Sequence, residues 1–288
     1  MSESSTKKTI VITGASDGIG AASARQLAAQ GHRLLLVGRS KQKIDAVAHE
    51  TGATAFVADF ARFDEVRALA RRLVEALGDD RIDVLANNAG GIFGDRTPTI
   101  DGNELTFQVN HLSPFLLTHL LLPSLRASEN GRRAAIVNTS STANRFGHLE
   151  LDDLDNTRHF SANKAYGDAK LANILFTRSL HAKYHARGIS SVAFHPGVVR
   201  TSFASDTTAM IRFVYRPPLN RLVMISPERG GKNLTFFAAG TPDATWQSGA
   251  YYSQTKRSTP ANPQASDAAL AEALWVKSAE LVEVAVSN

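Results

Sequence analysis

Thr9-Ile10-Val11-Ile12-Thr13-Gly14-Ala15-Ser16-Asp17-Gly18-Ile19-Gly20 passes from a β-branched run into a turn punctuated by three glycines. Ala21 to Gln30 follows as an alanine-rich segment stopped by Gly31. A short continuous apolar run ending at glycine reads as a buried parallel strand. Alanine and leucine favour helix, and a glycine just beyond is the usual C-terminal stop. Strand, glycine loop and helix in this order form the context in which backbone N–H groups and a helix N-terminus hold a pyrophosphate.

The rhythm repeats down the chain. Strands are expected at Leu34–Val37, Ala55–Ala58, Ile82–Ala86, Arg133–Thr139 and Ile189–Phe194, with helices at Lys41–Glu50, Asp64–Leu77, Glu104–Leu122 and Ser161–Ala186. Pro114 is expected to bend the third of these helices. After His195 the pattern lapses, and it resumes with a helix at Pro227–Ala239, a strand at Gly249–Tyr252 and a helix at Ser266–Val282. Short strands alternating with helices of ten or more residues give βαβ units, hence an α/β doubly wound parallel sheet of about seven strands with helices on both faces. No repeat or linker divides it, so residues 9–288 are expected to form one domain behind a disordered tail at 1–8. The irregular stretch at about 198–225 is expected to be a substrate lid.

Composition narrows the function. The 288 residues contain no cysteine, which excludes disulfides, thiolate metal sites and thiol nucleophiles and fits a reducing compartment. The polar N-terminus lacks a signal-peptide apolar core, and the most apolar run, Phe115–Leu122, is too short to span a bilayer. A soluble, cytoplasmic protein without a transmembrane segment is expected. The net charge of +5 is scattered, without aromatic interleaving or zinc spacing, so no nucleic-acid partner is expected. No metal site is expected either.

Tyr166 and Lys170 lie four residues apart on the Ser161–Ala186 helix and therefore share a face. A fixed ammonium beside a phenol favours the phenolate, each pKa unit corresponding to about 1.4 kcal/mol. Such a pair suits proton transfer to and from a substrate oxygen. By itself it is a common spacing.

The glycines are spaced Gly14-x-x-x-Gly18-x-Gly20 behind Thr13. With Asn87-Asn88-Ala89-Gly90 after the fourth strand, Ser140-Ser141 after the fifth and Tyr166-x-x-x-Lys170, the chain resembles the short-chain dehydrogenase/reductase family over nearly its whole length. The resemblance implies a Rossmann-type fold, a nicotinamide cofactor and hydride transfer between an alcohol and a carbonyl. It implies catalytic roles for Asn110, Ser141, Tyr166 and Lys170, with Ser140 the alternative serine. Cofactor contacts are implied for Gly14, Ser16, Asp17, Gly18, Ile19 and Gly20, for Asp59 and Phe60, for Asn87, Ala89 and Gly90, and for Tyr166, Lys170, Pro196, Gly197, Val199 and Thr201. At the second strand Val37-Gly38-Arg39-Ser40 has an arginine and no carboxylate. That suits a ribose 2′-phosphate, so Arg39 and Ser40 predict NADP(H) over NAD(H). His195, ending a strand, is expected to pack or hydrogen-bond locally.

Leu149–Leu154 inside the long Ser141-to-Tyr166 gap, with Ser248–Tyr252 and Ala273-Leu274-Trp275, resembles the retinol dehydrogenase-like branch, which includes protochlorophyllide reductase relatives. Its members act on hydrophobic alcohols, aldehydes and ketones. Phe203, Met210, Phe213, Tyr215 and Met224 would give the lid an apolar cover and imply an apolar small-molecule substrate. Two alternatives remain: a narrow-substrate tailoring ketoreductase and a non-catalytic NADP(H) sensor. Substrate identity and assembly into homo-oligomers are left open.

Overall fold

β1 (Thr9–Thr13) runs into α1 (Gly18–Ala29), and the chain returns as β2 (Arg33–Gly38) alongside it. The computed structural model describes residues 7–128, 131–197 and 225–285. α2 (Lys41–Thr51), β3 (Thr54–Val57), α3 (Phe63–Leu77) and β4 (Val84–Asn87) complete the first half. A helical rod follows, made of α4 (Leu105–Phe107), a π-helical turn (Gln108–Leu112) and α5 (Ser113–Leu121). Next come β5 (Ala134–Thr139), a 3₁₀ turn (Thr142–Phe146), α6 (Ala162–Tyr184) and β6 (Ile189–His195). α7 (Pro227–Ala239), β7 (Tyr251–Ser253), β8 (Lys256–Ser258) and α8 (Ala268–Leu281) finish the described chain.

The sheet order is β3-β2-β1-β4-β5-β6-β7-β8, with β1 to β7 parallel and β8 antiparallel. Eight strands replace the expected seven or so. β8 is a three-residue edge strand, Lys-Arg-Ser, fully exposed and so without the apolar alternation that marks a half-buried strand. It pairs through a tight turn with Gln254 at φ 55°. The expected 198–225 lid lies outside the described residues except for Ile225.

Successive residues of the parallel strands face opposite layers, which is why the strands are apolar throughout. Val11, Leu35, Leu85 and Ile136 pack with α3, the helical rod, α6 and α8. Ile10, Ile12, Leu34, Leu36 and Val137 pack with α1, α2 and α7 on the other face. Phe115, Phe176 and Trp275 tie the rod, α6 and α8 together, with ring centroids 5.0 to 5.8 Å apart. Each such ring, fully buried, contributes roughly 2 to 3 kcal/mol.

Buried side chains also bridge the sheet. Asn87 donates to Thr118 Oγ1 at 3.0 Å and to Asn138 Oδ1 at 2.9 Å, and Asn138 donates to Thr177 Oγ1 at 2.9 Å. This chain pins β4 and β5 to α5 and α6. The strand order reverses at β1, which lies between β2 and β4, so a crevice opens beyond the C-terminal ends there.

Candidate active site

A cleft of about 760 Å³ occupies that crevice, running from the end of β2 past β1 and β4 to the ends of β5 and β6. Its narrow part is made by glycines. Gly14 sits at φ +66°, and a Cβ there would lie 2.8 Å from the Ala89 Cα. Only glycine adopts that backbone freely and allows that approach. Thr13 fixes the two segments: its hydroxyl donates to the Ala86 carbonyl and accepts from the Asn88 and Ala89 N–H groups at 3.0 Å each. Asp17 caps α1 through Gly18 N–H at 2.7 Å, so the helix begins at the cleft wall.

Gly14, Ser16, Asp17, Gly18 and Ile19 line the cleft, as do Arg39, Ser40, Asp59, Phe60, Ala89, Gly90, Pro196 and Gly197. Gly20 and Asn87 do not. Gly20 is buried where α1 crosses the Gly14 carbonyl, and Asn87 is spent on the sheet bridge described above. Asn88 lines the cleft instead, donating to the Thr13 carbonyl at 3.1 Å. Asn87 ends β4 and Asn88 follows it, so the two side chains leave the strand end in different directions, a signal present in the sequence. Val199 and Thr201 lie outside the described residues. Lys43 is an addition: it follows Arg39 by four positions, lines the same wall and pairs with Asp17 at 3.3 Å.

At the other end Ser140, Ser141, Tyr166 and Lys170 meet. The two serines are distinguished by their partners. Ser140 is buried and donates to the Lys170 carbonyl at 2.8 Å, whereas Ser141 is half-buried and caps the 3₁₀ turn by accepting from Ala143 N–H at 3.2 Å. Ser141 keeps its O–H for a ligand. Lys170 is buried, donates to the Thr139 carbonyl at 3.2 Å, and holds its Nζ 5.4 Å from the Tyr166 ring centroid. Burial lowers its pKa to about 7.

Asn110 sits behind this group, fully buried and outside the cleft wall. Its amide donates to the Gly91 carbonyl at 2.7 Å and the Thr106 carbonyl at 2.8 Å, and accepts from Gly91 N–H at 3.2 Å. A Cβ on Gly90 would press against the Asn110 amide and lie 3.2 Å from Lys170 Nζ, so all three residues converge at one point. Asn110 lies in the π-helical turn. An ordinary α-turn would close its carbonyl on the N–H of residue 114, and Pro114 has none. Pro114 thus relates to Asn110, beyond the expected bend.

Ser141 and Tyr166 are held at a fixed separation by a contact without side chains. A Cβ on Gly147 would lie 2.5 Å from the Gly167 carbonyl oxygen, and one on Gly167 would lie 2.9 Å from the Ala143 carbonyl oxygen. The 3₁₀ turn and α6 therefore touch backbone to backbone. Asp168, buried beside this contact, accepts from His148 N–H at 2.7 Å and Asn156 at 3.1 Å and pairs with Lys164 at 2.8 Å. The segment between the 3₁₀ turn and α6 is thus bound to α6 at Gly147, His148 and Asn156.

His195 packs as expected but gains no local hydrogen bond at Nδ1 among the described residues. It lines the cleft and is 7% exposed. Burial, reinforced by the nearby charge of Arg145, lowers its pKa to about 4.

A family model described as short chain dehydrogenase matches residues 8–212. The chain belongs to the short-chain dehydrogenase family. Among curated relatives of this short-chain dehydrogenase, a candidate daunorubicin C-13 ketoreductase of Streptomyces is 40% identical, covering 96% of this chain and 92% of the relative. Human retinol dehydrogenase 13 is 37% identical, covering 96% and 84%. A solved structure of an uncharacterised protein from Mycobacterium paratuberculosis superposes with a TM-score of 0.77 at 29% identity, covering 98% and 95%. A short chain dehydrogenase of Shigella flexneri complexed with NADP superposes at 0.64 and 26% identity, covering 86% and 96%. These matches establish an oxidoreductase of the retinol dehydrogenase-like branch, acting on alcohol and carbonyl groups of small molecules with a nicotinamide cofactor. Among the described residues no helix is long and apolar enough to cross a membrane, and no acidic, His or Cys cluster is suited to a metal.

Proposed function

We propose that this short-chain dehydrogenase uses NADP(H) in preference to NAD(H) and interconverts a bulky apolar alcohol with its aldehyde or ketone. The observation that carries the reading is the single cleft that joins Arg39 and Lys43 at β2 to Ser141, Tyr166 and Lys170 at β5 and α6. β2 and β5 lie three strand spacings apart, about 14 Å, enough for an extended dinucleotide. The glycine loop suits such a group, since Gly14, Ser16 and the start of α1 at Gly18 line the cleft with backbone. Two cations and no carboxylate at the end of β2 favour a 2′-phosphate, and Asp17 is offset by its pair with Lys43. Asp59 and Phe60 would flank the adenine, and Pro196 and Gly197 the nicotinamide end.

When bound, the nicotinamide supplies or accepts the hydride. Tyr166 donates its phenolic proton to the oxygen that becomes an alcohol, and in the reverse direction receives it. Ser141 donates a second hydrogen bond to that oxygen and fixes it against Tyr166. Lys170, with a pKa near neutral, favours the phenolate when charged and passes protons inward. Asn110 holds the Gly90-Gly91 backbone in place and leaves its own carbonyl to a water behind Lys170. Ile92, Phe93, Leu105 and Val109 make the described wall beyond Tyr166 apolar, which supports a bulky apolar substrate.

The cysteine-free sequence supports a reducing, cytoplasmic setting, and the continuous sheet supports residues 9–288 as one catalytic domain. The Streptomyces relative favours a second version of this reading, a ketoreductase with a narrow substrate range. NADPH consumption over a panel of ketones and aldehydes of increasing size, beside Tyr166→Phe, tests both. Turnover that rises with apolar bulk and falls by at least about 10²-fold in the variant is expected. Equal activity of the variant would remove Tyr166 as the acid.

A further inference from the structure

His195 lines the carbonyl end of the cleft, and the mechanism leaves it unused. It ends β6, and the β5–β6 register pairs Thr139 with Phe194, which sets His195 directly beside Ser140. Ser140 N–H donates to the Phe194 carbonyl at 2.8 Å, so the alignment persists to the end of the ladder. Adjacent strands lie about 4.8 Å apart. The residues two places earlier, Asn138 and Ala193, face α6, and by alternation Ser140 and His195 do too. The imidazole therefore stands on the floor of the cleft, one strand beyond the serine pair.

Its surroundings would ordinarily satisfy it, and they do not. Tyr251 on the neighbouring β7 accepts from the Asn144 amide at 3.4 Å. Ser253, opposite His195 in the ladder, is exposed. Arg145 is near enough to act on His195 by its charge. Nδ1 stays buried without a partner among the described residues. A buried, unpaired ring nitrogen destabilises the fold unless something supplies the missing bond. The imidazole is neutral at physiological pH, with one nitrogen a donor and the other an acceptor, so a hydroxyl, which is both, suits either tautomer.

We propose that His195 is a specificity-determining residue whose imidazole hydrogen-bonds a hydroxyl of the substrate, so that the preferred substrates are apolar ketones bearing a hydroxyl within a few atoms of the reacting carbonyl. The proposal rests on the reductase reading given above and refines its substrate class. A site built to hydrogen-bond a substrate hydroxyl discriminates strongly against the analogue that lacks it, because the buried group is then left unpaired.

The test uses matched ketones with NADPH: 2-hydroxyacetophenone against acetophenone, and 3-hydroxypropiophenone against propiophenone. Wild-type protein is expected to favour at least one hydroxylated member by about tenfold in kcat/KM. His195→Leu and His195→Asn are nearly isosteric with each other, and only Asn keeps a polar atom near the Nδ1 position. Leu is expected to collapse the ratio toward one through KM, and Asn to restore part of it, with NADPH binding by fluorescence confirming that each variant is folded. A wild-type ratio near one for both pairs overturns the proposal without any variant, and so does a ratio unchanged in His195→Leu. Absence of turnover with all four ketones overturns the reductase reading and the proposal with it.

Discussion

Replacing Lys170 by methionine should make the nucleotide-free protein more stable while abolishing its activity. Lys170 is 3% exposed, and the bond recorded for its Nζ is the 3.2 Å contact to the Thr139 carbonyl. Burial lowers its pKa from 10.5 to about 7. At about 1.4 kcal/mol per unit, holding the amine in this position costs the folded state on the order of 4 kcal/mol at neutral pH. Losing the hydrogen bond returns about 1 kcal/mol of that, and methionine fills a similar volume without a charge. A net gain of roughly 3 kcal/mol corresponds to a rise in Tm of roughly 5 to 10 °C for a chain of this size. The pH dependence follows from the sign of the shift. The folded-state pKa lies below the unfolded one, so the cost is full below about pH 7 and fades as pH rises toward 10.5. Thermal scans of both proteins from pH 6 to pH 10 should give a Tm difference that is largest at the acid end and narrows with pH. Other titrating groups are shared and cancel in the difference. A variant no more stable than wild type at pH 7, or a gap that stays constant with pH, would refute the account of Lys170 as a strained amine.

Arg39→Asp should raise KM for NADPH by at least about tenfold and lower that for NADH, because a carboxylate at the end of β2 repels a 2′-phosphate and accepts from a 2′-hydroxyl; an unchanged cofactor ratio would shift phosphate recognition to Lys43. Gly147→Ala should destabilise by roughly 1 to 3 kcal/mol and lower kcat more than it raises KM for NADPH, since the new Cβ would meet the Gly167 carbonyl at 2.5 Å and push the 3₁₀ turn from α6; denaturant melts and steady-state kinetics measure both, and a silent variant would show that the contact does not set the Ser141–Tyr166 spacing.

The βαβ alternation was legible because fully buried parallel strands are short apolar runs and their helices are amphipathic or alanine-rich. Tyr166, Lys170 and the glycine loop were legible as local patterns. Adjacent asparagines look alike in a sequence, and only the pleat separates the sheet-bridging side chain of Asn87 from Asn88, which lines the cleft. The π-helical turn at Asn110 left a trace in Pro114, whose missing N–H was read as a bend. β8 left none, since a three-residue polar edge strand has no hydrophobic period. The unpaired nitrogen of His195 depends on what three other elements leave unfilled, and no local pattern encodes that.

The backbone contact between Gly147 and Gly167 has a consequence for how this chain tolerates change. Asn262 donates to the Asn144 and Gly147 carbonyls at 2.7 Å each, and Gln264 holds both backbone groups of Leu149. The loop between residues 150 and 160 is therefore anchored at its base, independent of its own length. Within the loop Leu154 and Asn156 are buried and Asn156 donates to Asp168, so the exposed rim at Thr157–His159 is where residues can be added or removed with least effect on the distance from Ser141 to Tyr166.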